Sequence, residues 1–574
     1  MNLLYRSRFF SECKKKTCYD LCKGSFTENN HKVADHDQLT GYCVPIVQVK
    51  NGLLQGEIKK SKANLPYYSF SGIPFAKPPV GELRFKAPQP LDFWNGTLDA
   101  TKLPKKCIQL TNSNEIDGEE DCLYLNVYTP NLKKKLPVMF WIYPGAFHKG
   151  YSGFTSYGPE YFMDKEIILV TSNHRLGILG FLSTEDDVIR GNFGLKDQVM
   201  ALHWVQENIQ QFGGDPRQVT IAGASSGGAS VGYHLLSPLS KGLFHKGILQ
   251  GGTPLCRRAI SFPGLARKRA KNLAILAGCK INSSFDILKC LKPMNASVIT
   301  KFYSNFFKWK NHPRVVFPPV IEKCDSDAFI CHNPLIDFKQ ESYVPVIIGL
   351  NSAEGCLYSS SIFNTTKLLH PELYTDFNHI VPILLTYKNY TSEDDLPNVS
   401  KQIFNRYYPS GFIDDQSYLN TQNMIKDGYY LQCIMEMAIK LTSPVYFYLF
   451  DYQNEFSLNR NSTDSCLKPI GPSHGEETYN LFIKIPKLTL NEKDTEVSKT
   501  MVNIWTQFIS TDYPTTNGTS EGLKWPEFMS NESSLLLHVD SAQPKLIPNP
   551  FTEIYTFWQG LPLLSGLKDT CEIQ

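Results

Sequence analysis

The 574-residue chain has no run of about 18 consecutive apolar residues, so no stretch reads as a membrane-spanning helix. Charge of one sign is scarce: 58 Lys and Arg against 55 Asp and Glu leave a formal net charge of +3. So even a balance gives no electrostatic footprint for nucleic acid or an anionic membrane. Internal repeats and low-complexity tracts are missing too. Residues Leu567–Gln574 are polar and carry neither a lipid-anchor tail nor an ER-retention signal. At the other end, Met1–Phe10 breaks its apolar residues with charges and lacks the apolar core, about 7–15 residues, of a signal peptide.

What is present points to an exported globular protein. Fifteen cysteines are many for a reducing compartment, and their odd number leaves at least one unpaired. Nine N-x-S/T sequons occur, at Asn95, Asn282, Asn295, Asn364, Asn389, Asn398, Asn461, Asn517 and Asn531. The expectation is a secreted protein whose true start has been replaced or misassigned, with a cytoplasmic protein as the alternative. Hydrophobic content of 42% and charged content of 20% suit a soluble globular chain. Residues 1–42, with Cys13, Cys18 and Cys22, read as a polar extension outside the fold. Their C-x4-C-x3-C spacing lacks a fourth ligand and fits no common zinc pattern. Residues 43–565 read as a single domain and 566–574 as a polar tail.

Organised text begins at Ile46. Val47 and Val49 alternate with polar residues up to Asn51-Gly52, a two-residue hairpin turn. Leu123, Leu125 and Val127 alternate as a half-buried strand. Val138–Tyr143, Ile167–Thr171, Gly247–Gln250, Val344–Ile348 and Val445–Phe450 are short apolar runs suited to a sheet covered on both faces. Gly191–Pro216 reads as a helix, with Leu195, Val199, Leu202, Val205, Ile209 and Phe212 on one face and Gly213-Gly214 ending it. Strands alternating with helices over this length predict a doubly wound, mostly parallel α/β sheet. Two looser helical regions, about 255–342 and 360–440, read as insertions over its C-terminal edge.

The stretch Val219–Ser230 concentrates the chemistry. A β-branched run leads into Gly223-Ala-Ser-Ser-Gly227, and small residues follow that can start a helix. This is the G-x-S-x-G elbow, in which glycines two before and two after let the backbone turn sharply and expose Ser225. A serine hydroxyl is a weak nucleophile at neutral pH and needs a base with an acceptor to orient it. Glu354 lies in Asn351-Ser-Ala-Glu-Gly355, just beyond a strand, and His474 lies on a Gly/Pro-rich loop, Pro469–Glu477. Taken alone, each is most simply a solvated surface residue. Their order after the serine and their strand-end positions favour a relay. The backbone N–H groups of Gly145 and Ala146, after the run from Val138, with that of Ser226, would form an oxyanion hole.

These motifs in this order resemble the carboxylesterase/cholinesterase family of α/β hydrolases, the type-B carboxylesterases, nearest its insect esterases. The resemblance covers roughly residues 45–560. It rests on Phe70–Phe85, Glu120–Pro130, Gly191–Gln198, the elbow, the N-S-A-E-G loop and the S-H-G-E-E loop. It implies Ser225 as nucleophile, Glu354 as acid and His474 as base, with no metal or organic cofactor. It also implies disulfides Cys107–Cys122 and Cys279–Cys290 and an internal Arg84–Glu120 ion pair; the other cysteines, Cys324 and Cys331 among them, stay unassigned.

The sequence departs from that pattern at Tyr143-Pro-Gly-Ala-Phe147, where the family carries H-G-G-G-F. Pro144 has no N–H, but the donors come from the next two positions. Ala224 replaces the usual Glu, and Gly251 stands where Ser is common. The implied activity is hydrolysis of a small-molecule carboxylic ester through an acyl-enzyme. A general, xenobiotic or pheromone-like ester suits the chain better than acetylcholine, because the Cys107–Cys122 loop has no tryptophan to stack on a quaternary ammonium. The juvenile-hormone group's elbow resembles G-Q-S-A-G rather than the one here. A weak or non-catalytic relative acting by ligand sequestration or adhesion is the alternative.

Overall fold

The computed structural model describes residues 44–358, 362, 371–414, 417–455, 471–484, 490–511, 513–518, 522–529 and 533–568. Expectations for residues 1–42, for the tail beyond 568 and for the sequons at Asn364, Asn461 and Asn531 fall outside these described residues.

A peripheral three-stranded sheet starts the fold, with β1 (Ile46–Val49) and β2 (Gly52–Gln55) joined by the Asn51-Gly52 turn and β5 (Thr97–Asp99) alongside. β6 (Gln109–Leu110) and β7 (Ile116–Asp117) form a small ribbon. The main sheet has eleven strands. Its antiparallel edge comprises β3 (Glu57–Lys60), β4 (Pro66–Pro74) and β8 (Tyr124–Thr129). The parallel centre comprises β9 (Leu136–Ile142), β10 (Ile168–Ser172), β11 (Gly214–Ala224), β12 (Lys246–Gln250), β13 (Val346–Asn351), β14 (Val445–Phe450) and β15 (Leu535–Val539). β16 (Lys545–Pro548) closes the far edge, antiparallel to β15. The spatial order is β16-β15-β14-β13-β12-β11-β9-β10-β8-β4-β3.

Every residue of β9, β10, β13 and β14 is buried, as continuous Val/Ile/Leu/aromatic runs require when helices cover both faces. β8 departs from the half-buried expectation: five of its six residues are buried. It lies between β10 and β4 inside the sheet, so its polar members Asn126 and Thr129 sit in the interior too. The helix expected over 191–216 is Phe193–Asn208, followed by a 3-10 turn, Ile209–Phe212. The chain then enters β11 at Gly214, earlier than the apolar run suggests, and Pro216 sits where the β9 pairing shifts register between Gly214 and Val219. A bulge is where a strand tolerates proline. The final described turn, Ser565–Lys568, buries Leu567.

Parallel strands all end on the same side, so β9, β11, β12, β13 and β14 bring the loops that follow them to one edge. Over that edge lie the two insertions. The first carries helices Leu265–Leu276, Ser284–Leu291 and Ala296–Lys301. The second carries Phe377–Leu384, Leu396–Tyr407, Tyr418–Ile425 and Gln432–Lys440, with a π-helical turn, Lys426–Leu431, before the last. Four disulfides join described residues, Cys107–Cys122, Cys279–Cys290, Cys256–Cys433 and Cys324–Cys331, and Cys356 is disulfide-bonded as well. The last two pairings were not assignable from sequence. Arg84 Nε donates to Glu120 Oε1 at 2.7 Å, and the pair is nearly buried. Among the described residues no helix is long and apolar enough to cross a membrane.

Candidate active site

Ser225 joins β11 to the helix Ser226–Leu236 with φ 56° and ψ −118°, a backbone conformation rare outside glycine. The turn is feasible because its flanking glycines have no Cβ. One added at Gly223 would lie 2.5 Å from the Gly227 carbonyl and 2.8 Å from that of Ile142; one at Gly227 would collide with the Ile142 oxygen. The Ser225 N–H donates to Gln250 O at 2.7 Å, which ties the elbow to the end of β12.

His474 and Glu354 come from the loops after β14 and β13. Asn351, the last residue of β13, joins these loops: its Nδ2 donates to Ser473 O at 2.7 Å and to Glu477 Oε2 at 2.6 Å. The Ala353 N–H adds a bond to Pro472 O at 3.1 Å. Glu354 is 1% exposed; its Oε1 accepts the Asn351 N–H at 2.9 Å, and its Oε2 accepts a short hydrogen bond from His474 Nδ1. His474 Nε2 is buried and bonded to no described residue, Ser225 Oγ included. The structure therefore closes the Glu354–His474 half of the expected relay and leaves the Ser225–His474 half open. The Gly251-Gly252 turn separates the two. A Cβ on Gly251 would lie 3.0 Å from His474 Cε1 and 3.2 Å from Glu354 Oε1, and one on Gly252 would lie 3.2 Å from Ser225 Cα. Hydrogen bonds of this kind are often long in an unliganded site and tighten with substrate bound.

The loop after β9 is strained in the same manner: φ is 147° at Gly145, 55° at Ala146 and 59° at Phe147. Its fold is held from inside, since Gly145 O accepts the N–H groups of His148 and Lys149, each at 3.1 Å. The Gly145 and Ala146 N–H groups find no acceptor among the described residues. Ser226 is the first residue of its helix, where an N–H has no intrahelical partner. Ahead of this loop, Tyr143, which stands where the family has His, is buried and stacks on His174 with ring centroids 4.4 Å apart.

Several contributors were not legible in the sequence. Glu477 is buried and accepts from Gln250 Nε2 at 3.0 Å as well as from Asn351. Burial first, and then the neighbouring Glu354 carboxylate, push its carboxyl above the ordinary range. Tyr430, on the π-helical turn, lies with its ring centroid 4.5 Å from that of His474. Such a turn inserts one residue into a helix and is frequent at functional sites. The only sequence signal was the second Glu of S-H-G-E-E, which had no role until the structure brought it to Asn351. His148 stacks on Tyr303 at 4.6 Å, and burial holds its imidazole down at about 3.

Comparison with known proteins places the chain in a family. Residues 44–558 match the Carboxylesterase family. Esterase FE4 of Myzus persicae is 38% identical over 490 residues, covering 82% of this chain and 85% of that protein. Juvenile hormone esterase of Tribolium castaneum is 37% identical over 491 residues, covering 81% and 83%. Liver carboxylesterase of Sus scrofa is 32% identical over 558 residues, covering 90% of this chain and 93% of that protein. The crystal structure of juvenile hormone esterase from Manduca sexta, with OTFP covalently attached, superposes with a TM-score of 0.79 at 26% identity, covering 90% of this chain and 99% of that one. A family match across most of the chain and this breadth of similarity lead to one conclusion: the chain belongs to the carboxylesterase family and is a carboxylic-ester hydrolase.

Proposed function

We propose that the chain hydrolyses its ester through a covalent acyl-enzyme, with Ser225 as nucleophile, His474 as general base and acid, and Glu354 as the group that orients His474. The single observation that carries this reading is the Glu354–His474 bond. By accepting the Nδ1 proton, Glu354 fixes the tautomer in which Nε2 is bare and basic. Nε2 takes the Ser225 proton as Oγ attacks the carbonyl carbon. The oxyanion develops against the N–H groups of Gly145, Ala146 and Ser226, each such donor being worth roughly 10²–10³ in rate. His474 then protonates the leaving alkoxide and activates the water that releases the acid. The steps require no metal or organic cofactor.

The substrate class in this reading is a general, xenobiotic or semiochemical ester rather than acetylcholine. The apolar and aromatic surroundings, with Phe147 against Phe181 at 5.2 Å and His148 against Tyr303, suit an uncharged arm near the scissile bond. The protein works outside the cell: four disulfides and six exposed sequon asparagines, Asn95, Asn282, Asn295, Asn389, Asn398 and Asn517, favour the secretory route. The test is turnover of an acyl-length series of p-nitrophenyl esters together with fluorophosphonate labelling. Wild type labels on Ser225 and turns over; Ser225→Ala does neither. Labelling that persists in Ser225→Ala refutes the assignment, and a single burst without turnover makes the chain a trap rather than a hydrolase.

A further inference from the structure

Three arginines gather around the candidate site, and among the described residues no carboxylate pairs with any of them. Arg258 follows β12 by a few residues. Its guanidinium carbon lies 4.2 Å from the Tyr429 ring centroid and 4.4 Å from that of Tyr430, the ring that packs on His474. It donates to Tyr429 O and, at 3.5 Å, to Gly251 O, on the turn that touches His474 and Glu354. Arg314, in the first insertion, lies 4.8 Å from the Tyr358 ring centroid and donates to Leu357 O at 3.2 Å; its Nε is buried with no partner among the described residues. Its charge acts on His148, two residues beyond the oxyanion loop. Arg269, on the helix Leu265–Leu276, makes no hydrogen bond or ion pair among the described residues, and its charge acts on Tyr303, the ring that stacks on His148.

All three are half-buried, so desolvation leaves each with unspent attraction for an anion. Tyr358, Tyr429 and Tyr430 link Arg314 to Arg258, with Tyr358 5.1 Å from Tyr429 and Tyr429 5.1 Å from Tyr430. The nearby carboxylates are committed elsewhere: Glu354, whose charge acts on Tyr430, holds His474, and Glu436, whose charge acts on the neighbouring Arg257, pairs with Lys440 at 3.2 Å and accepts from Gln432 at 2.9 Å.

We propose that Arg258, Arg269 and Arg314 form an anion-recognising rim to the ester site, and that the chain prefers esters carrying a carboxylate on one arm, away from the scissile carbonyl. The inference rests on the Ser225 reading. The rim binds the free carboxylate through guanidinium forks, the tyrosine faces cover the arm between, and the ester end remains in the uncharged surroundings of Phe147 and His148.

The experiment measures kcat/KM ratios within each protein, so that partial loss of folded enzyme cancels. Mono-p-nitrophenyl succinate, glutarate and adipate are paired with neutral p-nitrophenyl esters of equal length. A second set carries the carboxylate on the alcohol arm, as the butyrate ester of 4-hydroxyphenylacetic acid against phenyl butyrate. One of the two sets is expected to favour the anionic member by about tenfold or more in wild type, and which set does so identifies the arm. Arg258→Gln, Arg269→Gln and Arg314→Gln each lower that ratio severalfold, and Arg→Lys at the same position restores part of it. Raising the salt lowers the wild-type ratio, which keeps the proposal falsifiable should a variant fail to fold. A wild-type ratio at or below one in both sets, or a ratio that none of the substitutions moves, overturns the rim. If neutral esters are also refused and Ser225 does not label, the proposed relay has failed instead.

Discussion

Replacing Glu354 with Gln isolates what the carboxylate does, because the amide is nearly the same shape and has two possible placements. In the first, its oxygen stays on the Asn351 N–H, which Glu354 Oε1 now accepts at 2.9 Å. The amide NH₂ then faces His474 Nδ1 and forces the proton to Nε2, the tautomer that cannot accept from Ser225. In the second, the oxygen faces Nδ1 and the tautomer survives, but the NH₂ is driven against the buried Asn351 N–H, an unmet donor worth about 1–3 kcal/mol. The first placement therefore dominates by roughly 5- to 150-fold. Even the minor, competent population lacks the negative charge that stabilises the imidazolium formed in the transition state. Together these give a loss of about 10³–10⁴ in kcat, or about 4–5.5 kcal/mol of transition-state stabilisation. Steady-state hydrolysis of p-nitrophenyl butyrate reads the loss, and a thermal melt checks that the fold is retained. Folded Glu354→Gln protein that keeps more than a tenth of wild-type kcat would refute the tautomer argument.

Two further outcomes concern stability. Among the bridges between described residues, Cys256–Cys433 closes the longest loop, 177 residues apart, and its chain-entropy contribution is about 5 kcal/mol as an upper figure. Cys433 is three residues beyond Tyr430, so Cys256→Ser with Cys433→Ser is expected to lower the melting temperature by several degrees and to reduce kcat. A melt that does not shift rules the bridge out as a stabilising tie. His174 and His234 are buried, and burial holds both imidazoles down at about 3. Their unfolded counterparts titrate near 6.5, so as pH falls below that value the unfolded chain takes up protons that the native state refuses. Stability is full above about pH 6.5 and lost towards pH 3, by about 1.4 kcal/mol per pH unit for each histidine. Thermal melts at pH 7 and pH 5 should differ accordingly; equal melting temperatures would contradict the burial.

Residues adjacent in the chain carried most of what could be read without coordinates. Gly223, Ser225 and Gly227 form a motif because a sharp strand-to-helix turn is a local demand on three neighbouring backbones, and the apolar runs of β9, β13 and β14 are local records of burial on both faces. Likewise, Glu354 could be singled out because it stands just past such a run, and His474 because it lies on a glycine- and proline-rich loop after another. Other features depended on long-range meetings that leave little local trace. Glu477 gained a role only when Asn351 and Gln250, 126 and 227 residues away, turned their amides to it. Cys256 found Cys433 across 177 residues, although neither spacing nor composition distinguished them from the other unassigned cysteines. The π-helical turn that seats Tyr430 on His474, and the gathering of Arg258, Arg269 and Arg314, likewise come from segments that are unremarkable when read singly. Sequence alone determined the parallel-sheet scaffold and singled out the candidate reactive groups, since those are written in periodicity and motif. Tertiary structure alone decided which carboxylates, rings and cations surround them, because that follows from packing between loops far apart in the chain.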